Sequence, residues 1–226
     1  MHVLESEHIP KLEVLGPILL NHHETSNDIR GRKRKELLVY LLEARMIGKP
    51  ELRREHLLEM LYPESTREQA ENALKNLSFQ IRSSLGESAI RTNARSCALD
   101  AVGSDAEIFL ETRDTKLWRG PYLQHAGFEG HDSHLVAEAL YRALLEAAQA
   151  LFAQDPREAA RCAQIALQAD PYNHTALRLE LQAWQVLGQL ERCNRVYERT
   201  RITFEEMGVD LPERWMKYLT HHKLEL

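Results

Sequence analysis

From Ser65 to Leu99 the chain reads STREQAENALKNLSFQIRSSLGESAIRTNARSCAL. Ala70, Leu74, Leu77, Ile81 and Leu85 recur every three or four residues, which lays one apolar stripe along a helix. Ser65 or Thr66 supplies the N-cap, with Glu68 placed to complete a capping box, and Gly86 is a natural residue just past the end. From Ile90 to Leu99 the pattern shortens to that of a two-stranded ribbon. A long amphipathic helix, a glycine stop and a ribbon therefore follow one another directly. With the stripe buried, Glu68, Asn72, Lys75, Asn76, Phe79, Arg82 and Ser83 fall on the outer side of the helix.

The flanking segments extend this pattern. KLEVLGPILL (residues 11–20) predicts two short strands around a Gly-Pro turn, and the polar NHHETSNDI after it predicts a second hairpin turn. The basic run Arg30, Arg32, Lys33, Arg34 and Lys35 opens an apolar helix through Leu37, Leu38, Tyr40, Leu41 and Leu42, ended by Gly48 and Pro50. ELRREHLLEMLY predicts a short second helix closed by Pro63. The order is strands, three helices and a closing hairpin.

Beyond Asp105 the character changes. DAEIFLETRD predicts a helix, and LWRGPYLQHAGFEGHD a glycine- and aromatic-bearing loop pinned by Trp118 and Tyr122. From Ser133 onward nearly everything has helical periodicity. Gln154 and Gly188, Ala159 and Cys193, and Ala163 and Tyr197 correspond at an interval of 34 residues. Small residues at such points let paired helices approach closely. A last short helix, ERWMKYLTHH, caps the series. Two domains are expected, residues 1–102 and 103–226.

Composition bounds the function. A hydrophobic content of 43% with 28% charged residues belongs to a globular protein, and the chain has no apolar run long enough for a membrane span. The first residues lack a basic-then-apolar signal pattern, so a cytoplasmic location with no membrane partner is expected. Net charge is -5, yet residues 1–100 balance 15 basic against 15 acidic groups, and the excess acidity lies in residues 101–226. A neutral first half with basic patches can still meet DNA, because contact depends on local potential. Cys97, Cys162 and Cys193 form neither a disulfide framework nor a zinc motif. His125, His131, Asp132 and His134 lack metal-helix spacing. No phosphate loop, nucleophile elbow or cofactor motif is present, so no enzyme activity, metal or cofactor is expected.

Several segments together carry a resemblance: LEVLGP (12–17), GRKRKELLVYLL (31–42), LRREHLLEMLYP (52–63), NALKNLSFQIRSSLG (72–86), ADPYNHTALRLELQAWQVLGQ and EEMGVDLP. In this order they resemble a bacterial regulator of the SARP type, an OmpR/PhoB-like winged helix followed by a bacterial transcriptional activation domain. The implied fold class is mainly α with a small β component: an N-terminal winged helix-turn-helix followed by a tetratricopeptide-like helical repeat domain. The implied function is sequence-specific DNA binding and transcriptional regulation, activation above all. The protein would act as a homodimer on promoter direct repeats of double-stranded DNA and contact RNA polymerase.

Residue chemistry gives that expectation its particulars. In a winged helix the long helix enters the major groove, where the amides of Asn72 and Asn76 can pair with adenine. Lys75 or Arg82 can reach guanine or phosphate, and Phe79 suits a thymine methyl, with Ser83 on the same face. Arg91, Asn93 and Arg95 lie at the ribbon turn, suited to a narrow groove or a phosphate track. Arg32, Lys33, Arg34 and Lys35 oppose the dipole of their own helix, which favours contact with DNA backbone or an acidic partner. The resembled family places basic residues where this chain has Phe79 and Gln80. That departure keeps a second reading open, a protein-interaction adaptor using the helical repeats beside a degenerate winged helix.

Overall fold

The computed structural model describes residues 10–22, 25–28 and 30–221, which fall into two compact units. The first comprises Met1–Glu111 and Tyr122–Ala139, the second Thr112–Pro121 and Leu140–Leu226. The first unit thus runs past the limit at residue 102 read from the sequence.

In the first unit, strands β1 (Lys11–Glu13), β2 (Leu19–His22) and β3 (Thr25–Asp28) form an antiparallel meander, with Leu12 opposite Leu20. The β2–β3 turn predicted in NHHETSNDI lies outside the described residues. Helix α1 spans Arg32–Met46 and buries every residue from Glu36 to Ala44, as befits a helix enclosed on all sides. A two-residue strand, β4 (Leu52–Arg53), precedes α2 (Arg54–Leu61), where the sequence predicted continuous helix. Helix α3 spans Arg67–Leu85, and its predicted stripe of Ala70, Leu74, Leu77, Ile81 and Leu85 is buried. Thr66 is the N-cap, but the capping box closes through Gln69 and not Glu68, because the third residue after the cap is the one that can reach back. Gly86 follows at φ 102°.

The predicted ribbon is β5 (Ile90–Thr92) and β6 (Ser96–Leu99), and β4 adds to β6 with Leu52 opposite Cys97. A further short strand, β7 (Gly103–Ser104), runs parallel to β1, giving the order β3-β2-β1-β7. Neither β4 nor β7 has a periodic signature, since two residues cannot show one.

Two polar contacts, one buried and one half-buried, lock these layers. Helix α4 (Asp105–Thr112) begins with Asp105, whose carboxylate accepts from the Val14 and Leu15 amides at 2.8 and 3.1 Å. Arg45 of α1 grips Glu107 bidentately and donates to the carbonyls of Leu99, Asp100 and Val102. The loop from Tyr122 returns to the same unit: Leu123 and Gln124 donate to the Val14 and Gly16 carbonyls, and Phe128 packs edge-on against Tyr40.

The second unit is helical. It contains a 3-10 turn (Thr115–Leu117), the later part of α5 (Ser133–Leu151), α6 (Pro156–Ala169), α7 (His174–Val186), α8 (Leu190–Glu206) and α9 (Trp215–His221). α6 packs on α7 and α7 on α8. Ala159, Ala160, Cys162, Ala163 and Ala166 line the buried face of α6, which permits close helix approach. α6 and α8 start 34 residues apart, the interval seen in the sequence. Trp118, expected to pin the loop, is buried in this unit against Tyr141, while Tyr122 is buried in the first.

Candidate nucleic-acid interface

The capping box starts α3 at a defined residue, and the apolar stripe fixes its rotation. Asn72, Lys75, Asn76, Phe79 and Ser83 are consequently exposed. Phe79 is 67% exposed, unusual for a phenylalanine that folding alone requires. Among the described residues, the side chains of Asn72, Lys75 and Asn76 make no hydrogen bond or ion pair, so their polar groups face solvent uncommitted. The Ser83 hydroxyl donates to the Phe79 carbonyl, one turn back, and is partly spent.

Arg82 has another task. It is half-buried, and its guanidinium donates to the Ile90 carbonyl at 3.0 Å and to the Thr92 hydroxyl. The side chain expected to reach DNA therefore ties the ribbon to α3. Arg82→Ala is expected to lower stability by about 1–2 kcal/mol, because two charge-assisted hydrogen bonds are lost at a half-exposed site. Amide exchange should accelerate at Asn93, whose N–H donates to Ser96 across the hairpin. Unchanged exchange there would refute the tether.

The ribbon tip is built by Asn93. Its side-chain oxygen accepts from the Arg95 and Ser96 amides at 2.7 and 2.8 Å, and its amide nitrogen donates to the Ser96 hydroxyl. An Asx turn of this kind consumes the amide that the sequence reading offered to DNA. Arg91 is ion-paired to Glu51 at 2.8 Å and to Asp100 at 3.6 Å. Arg95 is exposed and makes no side-chain hydrogen bond or ion pair among the described residues.

The basic run on α1 is likewise partly balanced. Arg32 and Lys33 both pair with Glu36, whose side chain is only 3% exposed, which offsets the unfavourable charge near the helix N-terminus. Arg34 donates to Gln80 of α3 at 2.9 and 3.2 Å. Lys35 is half-buried. The run thus joins α1 to α3 as much as it presents charge outward.

Sequence reasoning missed Arg53. It is exposed, without an ion pair among the described residues, and β4 sets it opposite Ser96. The Arg54 amide next to it donates to the Arg95 carbonyl at 2.8 Å, so Arg53 and Arg95 belong to one end of the small sheet. No signal in the sequence marks this, because the pairing of a two-residue strand is a tertiary event.

Among the described residues, no group of three His, Cys, Asp or Glu side chains is placed to hold a metal ion. The His131 ring packs edge-on against His56. Burial pushes the Cys162 thiol up to about 12, far from a reactive thiolate at neutral pH. No helix among the described residues is long and apolar enough to cross a membrane.

No protein-family model matches the chain, and no curated protein matches it. Among solved structures, the fold is similar to that described as Mycobacterium tuberculosis EmbR in complex with low affinity phosphopeptide, with a TM-score of 0.61 and 17% sequence identity. The match covers 91% of this chain and 62% of that one, so this chain spans less than two thirds of that protein's length. The likeness is one of fold: a mainly helical chain with small sheets, similar in architecture to EmbR over nine tenths of its residues.

Proposed function

We propose that this protein is a sequence-specific DNA-binding transcriptional regulator of the SARP type that acts as an activator. The first unit serves as a winged helix, with α3 in the major groove and the β5–β6 ribbon as the wing beside it. The second unit serves as a tetratricopeptide-like activation domain that contacts RNA polymerase and holds two protomers on promoter direct repeats. The observation that carries this reading is the outer face of α3, where Asn72, Lys75, Asn76 and the exposed Phe79 stand together with their polar groups uncommitted. Asn72, Asn76 and Phe79 can read base edges and Lys75 can meet phosphate or guanine, while Arg53 and Arg95 supply cations at the wing. Arg82 ties the ribbon to α3, and Asn93 shapes the ribbon tip. Arg91 can exchange its exposed partners for phosphate at small cost, since exposed ion pairs are worth about 0–1 kcal/mol. Arg34 is held only by the neutral Gln80, whereas Arg32 and Lys33 must keep the buried Glu36 carboxylate while they face an anion. Few cations are uncommitted, so one protomer binds weakly and two copies on one duplex bind far better.

The test is a fluorescence-anisotropy titration of the purified protein on its own upstream DNA and on random duplex at two salt concentrations. Upstream DNA should bind at least about tenfold tighter. Lys75→Ala should reduce the salt slope by about one, and Asn76→Ala should cost about 1–3 kcal/mol on the upstream site alone. Equal affinity for both duplexes, with neither substitution having an effect, overturns the reading. That outcome favours the adaptor alternative, in which Phe79 is an apolar contact for a protein partner.

A further inference from the structure

On α8, Arg192, Arg195 and Arg199 are spaced by three and four residues and share one face. With Gln164 of α6 and Glu180 and Trp184 of α7 they line a groove of about 350 Å³ within the second unit. None of the three arginines makes an ion pair among the described residues. Arg201 on the same helix shows the contrast, being paired with both Glu198 and Glu205. Three like charges on adjacent turns repel one another unless an anion is shared between them.

A carboxylate lies beneath them. Glu180 is 1% exposed; its Oε1 accepts from the Trp184 indole N–H at 3.2 Å, and its Oε2 is buried with no hydrogen-bond partner. A buried carboxylate oxygen left unpaired is costly, and native proteins seldom retain one without use. The Arg192 guanidinium lies over the Trp184 ring, 4.4 Å from its centroid, on the wall of the same groove.

We propose that this groove binds a guanine nucleotide, with the base's N–H edge on Glu180 and its phosphates on Arg195 and Arg199. The ligand must bring N–H donors to Oε2 and a multiply charged anion to the arginines. Guanine presents adjacent N1–H and N2–H donors that match a carboxylate, whereas adenine turns a ring-nitrogen acceptor to the same place. A purine can stack on the Arg192 guanidinium plane. The volume lies at the small end of ligand sites, where a mononucleotide fits. This assignment concerns the second unit alone and stands whether or not α3 reads DNA.

Isothermal titration of the full chain with GDP, ADP and inorganic phosphate, with Trp184 fluorescence read in parallel, tests it. GDP should saturate a single site about tenfold more tightly than ADP. Glu180→Gln should bring GDP down to the level of ADP, and Arg195→Ala combined with Arg199→Ala should weaken both nucleotides about tenfold or more. The two arginines are exposed, so the double variant should keep the parent's thermal melt. Should Glu180→Gln fail to fold, the GDP-to-ADP ratio of the parent protein and the arginine variant still decide. Equal binding of GDP, ADP and phosphate, the absence of saturable GDP binding at millimolar concentration, or unaltered GDP binding in the arginine variant each overturns the assignment.

Discussion

Asp105→Ala should destabilise the first unit by about 3 kcal/mol, because it strips the acceptors from two buried backbone amides at once. The carboxylate is 1% exposed and holds the Val14 and Leu15 N–H groups from about ninety residues along the chain. Those amides lie just past β1, where the backbone leaves the strand and no sheet partner is at hand. Water cannot replace the carboxylate, since Val14 and Leu15 are fully buried. Asp105→Asn keeps one acceptor and puts an N–H against the other amide, so it should cost less than alanine but well above zero. Urea denaturation followed by far-ultraviolet circular dichroism gives both values. A loss below about 1 kcal/mol for the alanine variant would mean that these bonds do not carry the junction.

Glu43→Ala should be comparably damaging, by about 3 kcal/mol, and the residue should also make stability depend on pH. Glu43 of α1 is fully buried, and its Oε1 accepts from the Tyr122 hydroxyl at 2.9 Å and from the Ser133 hydroxyl. Alanine removes the acceptor of both hydrogen bonds and opens a cavity beneath the returning loop. Burial pushes the carboxyl above its ordinary value of 4.5, and the Ser133 and Tyr122 hydrogen bonds only partly oppose it. The folded state therefore holds the proton more tightly than the unfolded chain. Stability from this group is complete below about 4.5 and is lost as pH rises through the higher folded value. In Glu43→Gln the group cannot titrate. The stability of the parent relative to that variant should be greatest in acid and decline as pH rises above the ordinary carboxylate range. A difference that is flat with pH would show that Glu43 has the same proton affinity folded and unfolded. Gly130 belongs to the same knot, since a Cβ there would come within 2.0 Å of the Glu43 carboxylate.

The parts that were legible from the residues are those held by local periodicity. The stripe from Ala70 to Leu85 repeats often enough to fix both the existence and the rotation of α3, and through rotation the exposure of Asn72, Lys75, Asn76 and Phe79. The existence of α1 and the small-residue face of α6 were legible in the same way. The candidate interface was legible as a face but not as a set of free groups. Arg82, Arg91, Asn93 and Arg34 look alike on a helical wheel or in a hairpin, yet each is engaged by partners between 2 and 46 residues away. Periodicity carries no information about such partners, because a side chain's hydrogen bonds depend on which backbone folds against it.

The sequence alone determined the order of the long helices and the ribbon, the buried stripe of α3 and the side of α3 that meets solvent. These follow from the helical repeat and from removing apolar surface from water, which act on neighbours in the chain. Only the tertiary structure decided that β4 and β7 exist. It alone set Asp105 and Glu43 as the buried anchors of the first unit, and placed Arg53 beside Arg95. Each of these rests on pairing a polar group with one particular distant partner, and the cost of leaving such a group unpaired in the interior appears only once the chain has closed around it.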